Sequence, residues 1–173
     1  LMHYYFQDGE PTTMEKSYFY EENSKIYMPS GDLTSDSPLG DDSPLFSARW
    51  MKVYDGNEDN WMIFDTTLTD LGLSDETSFN GTMTISGKKG SNQNFVVNGT
   101  TISAKHAIIK VVFSGQVSIP GLPLPVTISI TQTNHAYVAP GIGLVAMIAD
   151  PTEIPIMGKS PGPASRLIKY SIK

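Results

Sequence analysis

The chain has 173 residues, no cysteine, a formal net charge of −6, 39% hydrophobic residues and 17% charged ones. That length suits one domain with a core of its own. The missing cysteines exclude disulfides, thiolate zinc sites and a cysteine nucleophile, and the acidic balance argues against nucleic acid and against electrostatic docking on anionic lipid. Ser, Thr, Asn, Gly and Pro fill the remainder, a polar but uncharged surface typical of exported β-proteins. No apolar run approaches the roughly 18 residues of a transmembrane helix. No secretory leader is present, and Leu1 opens the chain, so a trimmed chain that has lost a leader or lipid anchor is expected.

In chain order, residues 1–13 are aromatic and polar without a clear period and read as a loosely ordered N-terminal segment. Met14–Tyr20 and Lys25–Met28 read as a hairpin around Glu21-Glu22-Asn23-Ser24. Pro29–Pro44 is a loop rich in Ser, Asp, Gly and Pro. Phe46–Tyr54 and Asn60–Thr66 form a second hairpin around Asp55-Gly56. Leu68–Phe79 reads as a connector with at most one helical turn. Thr82–Ser86 alternates as a half-buried strand, and Gly87–Asn92 reads as a turn. Gln93–Val97 and Thr101–Phe113 follow, separated by Asn98-Gly99. Val126–Thr133 alternates apolar residues with hydroxyls, so one face packs and the other meets water. Gly143–Ala149 is continuously apolar and is expected to be covered on both faces. Pro151–Pro163 is a loop, and Arg166–Ile172 is a closing strand with Ile168, Tyr170 and Ile172 on one face. No amphipathic helix of useful length is present. The expected fold is a single all-β domain over 1–173, one curved antiparallel sheet forming a half-barrel or open barrel.

Chemistry-bearing patterns are sparse. Asp55, Asn57 and Asp59 have the spacing of half a calcium loop, but Asn60 stands where Gly is needed and Thr66 where a bidentate Glu is needed. A solvated hairpin turn is the better reading, and the aspartates of Asp32–Asp42 likewise solvate a loop. His3, His106 and His135 lack metal-ligand spacing and read as ordinary strand residues. There is no Gly-x-Ser-x-Gly elbow, Gly87–Ser91 lacks the spacing of a phosphate loop, and neither Asp65 with Asp70 nor Asp75 with Glu76 is placed as an acid–base pair. Asn80-Gly81-Thr82 and Asn98-Gly99-Thr100 match the glycosylation acceptor pattern but read first as turns. The expectation is a non-enzyme without cofactor or metal, and an unrecognised hydrolase is the lesser alternative.

Two features point to binding. Ile119-Pro120-Gly121-Leu122-Pro123-Leu124-Pro125 is a stiff apolar loop, either folded over the end of the core or touching a ligand, partner or membrane. Trp50, Tyr54, Trp61 and Phe64 lie on adjacent strands. Buried, they are a core ladder; exposed, Trp50, Tyr54 and Trp61 are a platform for sugar rings.

Tyr137–Val145, with its aromatic–Gly–Ile–Gly–Leu–Val run, and the ending Arg166-Leu-Ile-Lys-Tyr170 resemble segments of exported Bacteroidota-type lipoproteins. The arrangement also resembles the periplasmic half-barrel class that includes the lipoprotein carriers LolA and LolB. The resemblance implies a sheet curled around an apolar cavity that holds a lipid or other hydrophobic ligand. It implies a periplasmic or outer-membrane-associated location, with the membrane reached only through a lipid anchor outside this chain. The concave face would be packed with Ile128, Ile130, Ile142 and Leu144. Ligand-binding candidates are Leu122, Leu124, Tyr137, Ile142 and Leu144, and a surface carbohydrate-binding or adhesive module is the alternative.

Overall fold

A computed structural model describes residues 2–7, 10–13, 18–29, 50–74, 77–154, 158–160, 162 and 164–171. Every regular element among them is a strand: β1 (Met2–Gln7), β2 (Glu10–Thr13), β3 (Tyr20–Glu22), β4 (Lys25–Pro29), β5 (Trp50–Asp55), β6 (Asn60–Ser74), β7 (Thr77–Lys89), β8 (Gln93–Val97), β9 (Thr100–Ser118), β10 (Val126–Ala139), β11 (Gly143–Ala149), β12 (Thr152–Ile154), β13 (Gly158–Ser160) and β14 (Ala164–Ser171). The fold is all-β and antiparallel, an open curved sheet. Nine strands form the main sheet in the order β2-β1-β14-β11-β10-β9-β7-β6, with β8 also on β9. β3-β4-β5 form a second small sheet, and β12-β13 a short hairpin. The expected strand at Met14–Ser17, the Asp32–Asp42 loop, Phe46–Arg49, Asp75, Glu76 and Ile172 lie outside the described residues.

Turn chemistry explains the short connections. Asn98 and Gly99 both have positive φ, at 50° and 76°, and join β8 to β9 as the two-residue primed turn that matches strand twist. Asn23 and Ser24, at 49° and 64°, do the same between β3 and β4. Two expected breaks are absent. Gly87–Asn92 is not a turn: Lys89 pairs with Ala107 and Gln93 with Ala104, so β7 and β8 follow one edge of β9 with a single extra residue between them. Leu68–Phe79 is not a connector either; it is strand on both sides of a hairpin. Bulges after Met62, Leu68 and Gly72 hide the alternation of β6. They also roughen the outer edge of the sheet, which discourages pairing with another chain. Residues 2–7 and 10–13 are paired as β1 and β2, and β12 and β13 pair with each other within the expected loop.

The core divides at the middle of β9. Ala107, Ile109, Phe113 and Val117 are buried on one face, Ile102, Ala104 and His106 on the other. The β9-β10 register is unbroken across this point, so the strand does not roll over. The covering changes sides. The small sheet covers the first face with Ile26, Met28, Met51 and Val53. Trp61 reaches across from β6, its Nε1–H donating to the Lys52 carbonyl at 3.0 Å. A Cβ on the facing Gly87 would collide with the Trp61 ring, which is why the smallest residue stands there.

The second face is buried by curvature. Arg166 on β14 donates through Nη2 to the Val96 carbonyl on β8 at 3.1 Å, and its guanidinium lies 5.6 Å from the Phe95 ring centroid. In a flat sheet β14 and β8 would stand four strand spacings apart, about 19 Å. One side chain cannot span that, so the sheet must curl between them.

Candidate functional site

The outer face of the small sheet carries an exposed aromatic group. Tyr20 pairs with Tyr27, and Pro29 with Trp50. The two tyrosine rings stack at 4.5 Å and 3°, and Trp50 meets Tyr20 nearly edge-on at 5.1 Å. Trp50 is 50% exposed and Tyr20 40%. Alternation puts the apolar Ile26, Met28, Met51 and Val53 underneath and leaves the aromatics above. Glu22, paired with Lys25, and Lys52, paired with Tyr27, flank the rings with polar groups. Desolvation first, then the neighbouring Tyr27 and Glu22, pushes the Tyr20 phenol above its ordinary range. It stays a neutral hydroxyl, able to donate and accept.

This cluster only partly coincides with the expected platform. Trp50 belongs to it. Trp61 is 4% exposed and serves the core. The β4-β5 register shifts between Ile26 and Tyr27, so Tyr54 does not stay on the face of Trp50. It is half-buried, edge-on to Trp61 at 6.2 Å. Tyr20 and Tyr27 are the partners missed by sequence reading, although their positions either side of Asn23-Ser24 mark them as a cross-strand pair.

Asp55, paired with Lys25 at the turn end of this sheet, is its buried charge. It is fully buried, with Oδ2 accepting from Lys52 Nζ at 2.7 Å and Lys25 Nζ 3.9 Å away, and with Oδ1 accepting from the Asn57 amide at 2.9 Å. Burial alone would raise its pKa, but these hydrogen bonds and lysine charges outweigh it and hold the carboxyl below its ordinary range. The calcium-like spacing is thus a turn whose first aspartate is occupied by lysines.

The five apolar candidates do not form one site. Leu122 and Leu124 project at the tip between β9 and β10, 52% and 75% exposed, so the loop does not fold over the core. Tyr137 and Leu144 are buried, and Ile142 packs against the core at the other end of β10. β10 has 14 residues, which separates its ends by about 43 Å. Ile128 and Ile130 pack at the margin of the core, paired with Gly115 and Phe113 of β9.

Inside the curl lies a stack that joins the candidate Tyr137 to two histidines that sequence reading treated as ordinary strand residues. Phe95 meets Tyr137 edge-on at 5.0 Å, and Tyr137 stacks on His106 at 4.5 Å and 11°. His106 Nε2 is 3.0 Å from His135 Nδ1, and His135 Nε2 is 3.4 Å from Asp150 Oδ1. Burial first, and His135 second, lowers the His106 pKa below its ordinary value. Among the described residues no group of three or more His, Asp or Glu side chains is arranged to hold a metal ion. Comparison with known protein families, with curated proteins and with solved structures finds no match to the chain.

Proposed function

We propose that the protein is a non-catalytic binding module of the cell exterior that takes a carbohydrate on the outer face of its small sheet. The observation that carries this reading is the Tyr20-Tyr27-Trp50 group. Large aromatic rings normally supply core energy, and here three are gathered on a face that no described strand covers. Sugar rings offer apolar C–H faces to aromatic rings, and Glu22, Lys25 and Lys52 supply donors and acceptors for hydroxyls at the rim. The low charge and the hydroxyl-rich exposed positions of β10 (Thr127, Ser129 and Thr131) support an exported location.

The test is a glycan array followed by calorimetry on the strongest binder. Trp50→Ala should weaken binding about tenfold, in line with about 1.5 kcal/mol for a stacked aromatic contact, while the unfolding midpoint stays near that of the parent. Binding that survives both Trp50→Ala and Tyr20→Ala removes the platform.

A second reading rests on Leu122 and Leu124. Their exposure at a strand tip favours contact with an apolar surface, such as lipid acyl chains, over carriage of a ligand inside the sheet. Retention by neutral phosphatidylcholine vesicles that disappears in the Leu122→Ser, Leu124→Ser double variant supports that role.

A further inference from the structure

The His106–His135–Asp150 chain is independent of the aromatic platform, and its hydrogen bonds dictate where the protons sit. His106 has Nε2 turned to His135, so Nδ1 is left facing Gly90, where a Cβ would strike the ring. Its hydrogen bond with the Ser91 backbone favours the protonated ring, so the partner is an acceptor and the ring donates to it. His106 therefore keeps its proton on Nδ1 and accepts at Nε2. His135 must then donate from Nδ1, because a hydrogen bond between two nitrogens holds one proton. The Asp150 carboxylate lies 3.4 Å from His135 Nε2, on the far side of that ring. The resting arrangement is a neutral His106 that accepts from His135, with Asp150 closing the chain.

We infer that His106, His135 and Asp150 form a pH-sensitive latch in which their chain of contacts fastens the β7-β8 bulge and the β11-β12 corner to β9 and β10, and a proton taken up by His106 opens it. The mechanical connections are explicit. The Gly90 amide donates to the His106 carbonyl, and the Asp150 amide to that of Thr133, at 2.9 and 2.8 Å. Gln132 Nε2 donates to the Asp150 carbonyl at 3.1 Å, and its Oε1 accepts from Thr152. A proton added to His106 must enter at Nε2, setting two N–H groups head to head across the 3.0 Å contact. The surrounding groups oppose it. Tyr137 from β10 covers the ring without charge, while Lys88 on β7 and Lys110 on β9, paired with Ile108 and Thr133, add positive charge to the same sheet face. Arg166 on β14 adds more beyond Phe95. Asp150, following β11, is the anion in contact, and it is already engaged by His135.

The sign follows from His106 being harder to protonate in the folded chain. Between its folded value and the ordinary histidine value of about 6.5, the unfolded chain binds more protons. Stability is complete above that ordinary value and declines as pH falls toward the folded one.

The test combines urea unfolding of the whole chain from pH 8 to 5 with nitrogen-15 spectra of the imidazoles. The unfolding constant should rise below pH 6.5 by up to about tenfold per pH unit, and His106→Gln should remove most of that rise. Equal slopes in parent and variant overturn the latch. If His106→Gln does not fold, the parent spectra decide. A His106 that is neutral and protonated at Nδ1 at pH 7, and takes up its second proton in step with the loss of stability, upholds it. A His106 protonated at Nε2 instead, or one that titrates without any change in stability, overturns it.

Discussion

The two ends of β10 carry the same turn and meet opposite fates. Ile119-Pro120-Gly121-Leu122 and Ala139-Pro140-Gly141-Ile142 each place Pro before a Gly of positive φ, 82° and 71°. Each closes with the fourth amide donating to the first carbonyl, at 3.2 and 3.1 Å. Both are type II turns. A Cβ would meet nothing at Gly121 or at Gly141, but the first turn stands clear, with Leu122 and Leu124 exposed beside it. The second is pinned: Glu21 Oε1 accepts from the Gly141 amide at 2.7 Å, and Phe19 packs on Gly143. Local sequence sets the bend of a turn, and the segments arriving from elsewhere decide whether it is a tip or a joint.

Substitutions at the two ends should separate these roles. Gly143→Ala combines a φ of 91° with a Cβ 2.6 Å from Phe19; it should cost about 2–3 kcal/mol in urea unfolding. Gly121→Ala meets only backbone strain and should cost about 1 kcal/mol. Equal costs would erase the distinction between joint and tip. Glu21→Ala removes one exposed hydrogen bond, a loss of about 0.5–1 kcal/mol, with faster hydrogen exchange at the Gly141 amide as its local signature. The Leu122→Ser, Leu124→Ser pair should change stability by less than about 0.5 kcal/mol while lowering the binding of a hydrophobic dye. A large destabilisation there would mean that the tip is packed after all.

The same contrast shows what was legible. β11 was readable to the residue, because an unbroken apolar run bounded by Gly and Asp has one interpretation. The Asn98-Gly99 hairpin was readable because its backbone demands those residues. β6 and β7 were legible only in part, as Asn60–Thr66 and Thr82–Ser86; the stretch between them was not, since three bulges break the period of two and Asp70 takes a positive φ of 51°. Gly87 and Gly90 looked like turn residues, yet they make room for Trp61 and His106. The aromatic site was half legible: Trp50 was singled out, but the register shift that turns Tyr54 away leaves no mark in spacing. The histidine chain was invisible, because His106 and His135 lie 29 residues apart and meet only through the β9-β10 register.

The neighbours of β14 set a timetable. Met2 pairs with Ser171 and Gln7 with Ser165, so β1 leaves the ribosome well before β14 and finds this mate only after every intervening strand has been made. Until then Tyr-Tyr-Phe at positions 4–6 has no place in the main sheet, and the Arg166 clasp on β8 has not formed. The sheet therefore closes late, and crowding of nascent copies would let the β1 of one molecule take the β14 of another, a strand-swapped dimer in which every pairing is native.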